Sequence, residues 1–285
     1  MQDLITAGSS CATICAYLRT YVAEDANISL AQLQTWFELL TSIYRQCIES
    51  TRKSRDAEAG VTVVLEELRA SAPTPSLVTE LDMVDLVFEP VLAAKLATST
   101  TCPISAKLTD ALVLYFESLL RNQIYPHKKA QTFLFALCVS TKSFETLRQL
   151  LHYHVILDSN EILHMLLDLA TVVAREPLKL WTTQMSLDMA WRLRDFDVLG
   201  LLLTEHSVDE PELFVHCLHK SKKLSQHWQL AKFLELLQTR LDQGSLTVRR
   251  MEAIVDAIVD LLKNDDVMPD LTGCHRWIHL PSPTS

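Results

Sequence analysis

The fold class is decided by residues 30–50, which read LAQLQTWFELLTSIYRQCIES. Apolar side chains recur there every three or four positions, namely Leu30, Leu33, Phe37, Leu40, Tyr44, Cys47 and Ile48. This spacing places them on one side of an α-helix. Ser29 precedes the stretch and Gln32 follows it three residues later, a pattern in which a serine side chain accepts the first free backbone N–H groups. We therefore predict an amphipathic helix that begins after Ser29.

Helical patterns extend outward from this stretch. Residues 61–70 predict a short second element, and residues 71–76 predict a proline-containing linker. Further helices are predicted at roughly 78–97, 106–122, 128–140, 143–154, 160–174, 183–193, 196–205, 211–220, 224–241 and 246–263. The organisation we expect is 1–76 as N-terminal helices and linker, 77–263 as a helical domain, and 264–285 as an irregular or disordered tail.

Glycine is scarce, with 5 residues in a chain of 285. Because the turns of sheets depend on glycine, proline, asparagine and aspartate, this scarcity argues against a multi-stranded β fold or a nucleotide-binding α/β fold. Short connections between helices make neighbouring helices antiparallel. We therefore predict an all-α fold of stacked antiparallel helical hairpins, similar to an α-solenoid, without a fixed repeat period.

The charge balance is acidic, with 26 basic and 35 acidic side chains and a net charge of −9. No basic stripe is visible, so we expect no nucleic-acid partner. Basic clusters at residues 52–55 and 220–223 are either solvated faces or contacts with anionic lipid or an acidic partner. No stretch reaches the ~20 apolar residues of a membrane span, so we expect membrane association to be peripheral or through a partner. The odd cysteine count and the lack of a signal peptide indicate a reducing cytosolic compartment.

The sequence contains no recognisable catalytic motif. It lacks a nucleophile elbow and a glycine-rich phosphate loop, so we predict no catalytic residue, no cofactor and no enzyme activity. A site assembled from distant residues is the remaining alternative. His216 and His219 share a helix face, and Cys11 and Cys15 lie one turn apart, but neither pair has a second ligand pair beside it. We therefore predict packing roles for them and no metal site.

One segment concentrates polar and aromatic side chains where one helix ends and the next begins. Residues 147–159 read LRQLLHYHVILDS. Tyr153, His154 and Asp158 are the candidate partner contacts in this segment. The alternative is a tight corner between helices, with Tyr153 packed inside and the histidines bonded to free carbonyl groups.

The same segment resembles the helical C-terminal region of the Mic-one/Bulli family, the regulator of the Mon–Ccz complex. The resemblance continues in register through ILHMLLDL at 162–169, QMSLDMAWRL at 184–193 and VLGLLL at 198–203. Upstream, LDMVDLVFEPV at 81–91 is similar to the segment that opens the family's domain. The resemblance covers roughly 30–263 and weakens beyond Thr204.

This resemblance implies a non-catalytic scaffold or accessory subunit of a Mon–Ccz-type guanine-nucleotide exchange complex. Such a complex activates the late-endosomal Rab GTPase and supports endosome–lysosome maturation and autophagy. The implied partners are Mon- and Ccz-type subunits and, indirectly, the Rab GTPase. The implied location is cytoplasmic and peripheral on late endosome and lysosome membranes.

Two questions stay open at this point. Full-length family members look like an N-terminal β-propeller followed by the helical region, and this chain has no room for a propeller, through truncation or genuine absence. An α-solenoid subunit of another vesicle tethering or coat complex is the alternative function, because fold alone does not separate the two.

Overall fold

The computed structural model describes residues 2–6, 8–23, 29–53, 77–98, 106–172, 176–205, 211–220, 227–244 and 246–264. Every regular element in these ranges is helical, which confirms the all-α prediction. The chain forms two compact units, Met1–Leu157 and Asp158–Ser285. The predicted element at 61–70, the linker at 71–76 and residues 265–285 of the predicted tail lie outside the described residues. The predicted domain boundary after residue 76 lies there too and stays a prediction.

The amino-terminal unit is built from helices of 4 to 24 residues. In chain order they are α1 (Gln2–Thr6), α2 (Cys11–Ala23), α3 (Leu30–Lys53), α4 (Glu80–Met83), α5 (Glu89–Thr98), α6 (Ala106–Arg121), α7 (Lys128–Ser140) and α8 (Phe144–His152). The predicted helix of residues 30–50 is α3, and its Ser29 Oγ accepts from Gln32 N at 3.3 Å. α3 packs along α6, and α8 packs on α7.

A π-helical turn, Val84–Phe88, joins α4 to α5 into one continuous rod. The backbone N–H of Glu89 donates to the carbonyl of Val84, five residues earlier. Pro90 follows directly, and a proline has no N–H and crowds the carbonyl four residues before it. The wider turn accommodates Pro90 and leaves Val84, Val87 and Phe88 buried.

Three aromatic rings form the centre of the amino-terminal core. Phe37 of α3 lies 5.3 Å from Tyr115 of α6 between ring centroids, in a T-shaped arrangement. Phe88 lies 5.9 Å from Tyr115 and 6.3 Å from Phe37. All three side chains are buried, so this cluster supplies much of the apolar area that stabilises the unit.

The carboxyl-terminal unit is a succession of packed helices. They are α9 (Asn160–Val172), α10 (Glu176–Leu193), α11 (Phe196–Glu205), α12 (Pro211–Lys220), α13 (His227–Asp242) and α14 (Val248–Asn264). α9 packs on α10, α10 on α11, and α11 on α12, which agrees with the predicted hairpin stacking. Phe214 and Phe233 stack with ring centroids 3.7 Å apart and join α12 to α13.

One helix begins earlier than the sequence predicts, and one helix was not predicted. The helix predicted at 183–193 begins at Glu176. Pro177 lies in its first turn, and a proline is tolerated there because the backbone N–H groups of the first turn have no acceptor within the helix. α2, Cys11–Ala23, was not among the predicted helices, since its apolar residues are interrupted by small and β-branched ones.

Several helices end in the left-handed backbone conformation. Gly244, with φ +72°, follows α13 and donates its N–H to the carbonyl of Leu241 at 3.0 Å. Four further ends use other residues, with φ of 57° at Gln123, 57° at Lys142, 53° at His154 and 58° at Arg194. The residue after each of these donates back to the carbonyl five positions before itself, as in a Schellman motif.

Candidate interaction surface

The Tyr153 side chain projects into solvent at the end of α8. It is 73% exposed, and its ring meets only the neighbouring His152 ring, 5.1 Å away, among the described aromatic contacts. His154 follows in the left-handed conformation and is also exposed. The packed-corner alternative for Tyr153 is therefore wrong, while a partner contact at Tyr153 and His154 stays a prediction.

Asp158 is engaged by an arginine of its own unit. Arg192 of α10 donates to both carboxylate oxygens, from Nε to Oδ2 at 2.5 Å and from Nη2 to Oδ1 at 3.0 Å. Donation of this hydrogen bond to the Asp158 carboxylate raises the pKa of Arg192. The bidentate pair fixes the position of Asp158, which stays a predicted partner contact.

The buried side of α10 carries three small polar residues beside Met189 and Ala190. Thr182 and Ser186 are fully buried, and Thr183 nearly so. Their hydroxyl groups find partners within the helix, since Thr182 Oγ1 donates to the carbonyl of Leu178 at 3.1 Å and Ser186 Oγ donates to that of Thr182 at 2.8 Å. α9 and α10 form the most extensive helix pairing of the unit, and small side chains on a buried helix side permit such a close approach.

The opposite side of α10 carries large apolar residues. We define the α10 outer face as Leu180, Gln184, Leu187 and Trp191, which follow one another at helical spacing. Leu180 is 71% exposed and Trp191 50% exposed, about 16 Å apart along the helix at its usual rise per residue. Exposed apolar groups aligned in this way are typical of a surface that binds another protein.

An aromatic cluster continues the α10 outer face at its carboxyl end. Trp191 lies 6.3 Å from Phe196 and 5.9 Å from His216, and Phe196 lies 5.5 Å from His216, between ring centroids. His216 thus packs against aromatic rings, in line with the packing role predicted for it. The ranges that the structure describes contain no group of three or more His, Cys, Asp or Glu residues arranged to hold a metal ion.

A polar cavity of about 300 Å³ lies beside this cluster. Its lining residues are Asn160, Leu193, Arg194, Asp195, Phe196, Asp197 and Lys220. The lining includes two cationic and two acidic side chains, and Asp195 Oδ1 accepts from Val198 N at 3.1 Å as the cap of α11. The basic clusters predicted at 52–55 and 220–223 lie partly outside the described residues, and their role stays open.

The buried thiols are unsuited to nucleophilic chemistry. Burial raises the pKa of Cys138 and of Cys217 to about 12. The Sγ atoms of Cys11 and Cys15 lie 3.9 Å apart, and this contact together with burial raises the pKa of Cys15. A thiol with a raised pKa stays protonated at neutral pH and is a poor nucleophile.

None of the helices in the described part of the chain combines the length and the apolar character that crossing a bilayer requires.

A helical protein with protonated buried thiols and an apolar outer helix face has the features of a protein-interaction module. Comparison with known families agrees with this class. Residues 8–247 match the family described as Regulator of MON1-CCZ1 complex, C-terminal. The chain belongs to this family, which confirms the resemblance carried by residues 147–159 and 184–193.

Sequence reasoning did not single out the residues that the structure places on this surface. Leu180, Trp191 and Arg192 were not predicted as site residues. A signal was nonetheless present, because residues 176–193 place apolar side chains on every side of the helix, whereas a surface helix normally has one apolar stripe.

Proposed function

We propose that this chain is a non-catalytic accessory subunit of the MON1–CCZ1 complex. The observation that carries the proposal is the family match across residues 8–247. The buried, protonated thiols and the charge-balanced cavity are consistent with a role that needs no reaction centre of its own. In this role the chain supports a complex in which other subunits perform nucleotide exchange.

The cellular role we propose follows the family resemblance. The complex activates the late-endosomal Rab GTPase and thereby supports endosome–lysosome maturation and autophagy. The chain resides in the cytoplasm and reaches late endosome and lysosome membranes through its partners. The Rab GTPase is an indirect partner, reached through the exchange subunits.

The α10 outer face is the surface that we propose for contact with the MON1–CCZ1 pair. Tryptophan is among the residues that contribute most to protein interfaces, and Trp191 here is half exposed beside a leucine on the same face. α10 already packs on α9 through its inward side. The exposed leucine and tryptophan are therefore available for a partner.

A binding assay with the purified MON1–CCZ1 heterodimer tests both statements. We expect the wild-type chain to bind, and the double variant Leu180→Gln with Trp191→Ala to bind about tenfold more weakly or worse, since each interface anchor contributes more than about 1 kcal/mol. The matched control is Tyr125→Ala, which removes a more exposed aromatic, 74% against 50% for Trp191, from the amino-terminal unit. Circular dichroism establishes that each variant is folded and helical.

The outcomes separate the parts of the proposal. Failure of the folded wild-type chain to bind the heterodimer would overturn the partner and favour another tethering or coat complex. Unchanged binding of the double variant together with lost binding of Tyr153→Ala would move the contact to the end of α8. Release of labelled GDP from the Rab GTPase by this chain alone would contradict the non-catalytic role.

A further inference from the structure

A carboxyl group is buried in the apolar interior of the amino-terminal unit. Glu80, the first residue of α4, is 1% exposed. Its Oε1 accepts the backbone N–H of His127 at 2.5 Å. This bond joins the start of α4 to the connection that precedes α7. The proposed partner binding makes no use of this group.

Among the residues that the structure describes, the groups around Glu80 provide no counter-charge. Tyr44 of α3 and Tyr115 of α6 lie close enough for the Glu80 charge to raise the pKa of each phenol. The Tyr44 hydroxyl is buried and has no hydrogen-bond partner within the described part of the chain. Cys15 of α2 and Asp82 of α4 also act on Tyr115, and both are neutral or acidic groups.

The basic groups nearby are occupied elsewhere. The His127 ring accepts from Lys129 N through Nδ1, and burial together with Lys128 and Lys129 lowers the pKa of His127, which favours the neutral ring. The Lys129 ammonium binds Asp85 at 2.5 Å and Glu89 at 3.2 Å on the outside of the rod. The ionised form of Glu80 would therefore be a lone charge in an apolar interior, which is strongly unfavourable.

The hydrogen bond of Glu80 belongs to a longer polar connection. Pro126, next to His127, accepts from Gln131 Nε2 at 2.6 Å through its carbonyl. Gln131 Oε1 in turn accepts from Leu157 N at 2.6 Å. Loosening the Glu80 end would thus disturb a chain of bonds that runs from α4 through the start of α7 to the segment after α8.

We propose that Glu80 is a proton-operated lock within the amino-terminal unit. With its carboxyl neutral, Glu80 closes the junction between α4 and residues 124–127. Loss of the proton draws water toward the carboxylate and loosens that junction. This junction therefore tightens as the pH falls and loosens as the pH rises.

The direction of the pH effect follows from the titration of the buried group. Burial raises the pKa of Glu80 to about 7, against the opposing effect of the His127 N–H bond. Because the folded-state pKa exceeds the unfolded value near 4.5, the stabilisation is complete below pH 4.5 and is lost as the pH rises through about 7.

Urea unfolding between pH 5 and pH 8 tests the lock in the intact chain. Glu80→Gln keeps the side-chain volume and an acceptor for His127 N–H but carries no charge at any pH. The variant should lose a pH dependence on the order of 100-fold in the wild-type unfolding equilibrium constant, because each pKa unit is tenfold. Glu145→Gln, at an exposed position of α8, is the matched control and should keep the wild-type dependence. Parallel profiles for wild type and Glu80→Gln would overturn the proposal.

Amide hydrogen exchange locates the effect. After correction for intrinsic exchange, protection of the peptide that contains the His127 amide should fall from pH 6 to pH 8 in the wild type and stay constant in Glu80→Gln. Should the variant fail to fold, a carbon-detected titration of the wild-type glutamate carboxyls decides the matter. A buried glutamate that titrates near 7 supports the lock, and the absence of any glutamate that titrates above about 5 contradicts it.

Discussion

α6 and α10 are helices of similar length, 16 and 18 residues, that differ in the side chains they bury and expose. α6 buries the large apolar residues Leu112, Phe116 and Leu119 and exposes Glu117. α10 buries small hydroxyl residues beside Met189 and Ala190, and it exposes Leu180 and Trp191. The comparison teaches that a helix in this protein is held either by the apolar area it buries or by how closely a neighbour approaches it. The second solution leaves large apolar side chains available for binding.

The largest effect is expected on α6. Phe116→Ala removes a fully buried ring from the amino-terminal core and should lower the free energy of unfolding by about 3–5 kcal/mol. Urea unfolding at constant pH measures the change. The control is Glu117→Ala on the exposed side of the same helix, where the loss of the ion pair with Arg121 should cost less than about 1 kcal/mol. Similar losses for the two variants would break the comparison.

An intermediate effect is expected on the inward side of α10. Thr182→Leu places a larger side chain between α10 and α9, and overpacking should lower the free energy of unfolding by about 1–3 kcal/mol. Chemical denaturation measures the change, with Thr182→Ser as the matched variant that keeps the hydroxyl bond and adds no volume. If leucine proved stabilising, the close approach of the two helices would not be what holds α10.

The smallest effect is expected on the α10 outer face. Leu180→Gln exchanges an exposed apolar side chain for a polar one and should change the free energy of unfolding by less than about 0.5 kcal/mol, as surface substitutions usually do. Thermal and urea unfolding measure the change. A loss above about 1.5 kcal/mol would mean that Leu180 contributes to the stability of the fold. Trp191 would then be the apolar residue of the α10 outer face that remains available for binding.

Regular amphipathic helices were the part of the fold that the sequence could predict. α3 was predicted because its apolar residues recur every three or four positions over about five turns, and Leu33, Phe37 and Tyr44 are indeed buried. The first turns of α10 were missed because Pro177 and Thr182 are typical of a connecting segment in a sequence, whereas Pro177 occupies the first turn of the helix and tertiary packing buries Thr182. Burial of a threonine depends on what approaches it, which no local pattern contains.

The candidate site was less predictable, because its contacts join distant residues. The family was predicted from residues 147–159, yet the bond between Asp158 and Arg192 spans 34 positions and carries no local signal. Tyr153 has the same sequence context whether it packs or projects, and only the structure separates the two. Glu80 likewise follows a capping threonine in the way an exposed glutamate would, while the rings of Tyr44 and Tyr115 come from remote helices.

The four left-handed helix ends at Gln123, Lys142, His154 and Arg194 bear on how this protein can be engineered. An ordinary L-residue in that conformation carries roughly 1–2 kcal/mol of steric strain that glycine lacks. Because these four helix ends lack glycine, each retains this strain, and a glycine substitution there should raise the free energy of unfolding. Glycine substitutions at these four positions can therefore raise the thermal stability one residue at a time, while the helices and their packing stay unchanged.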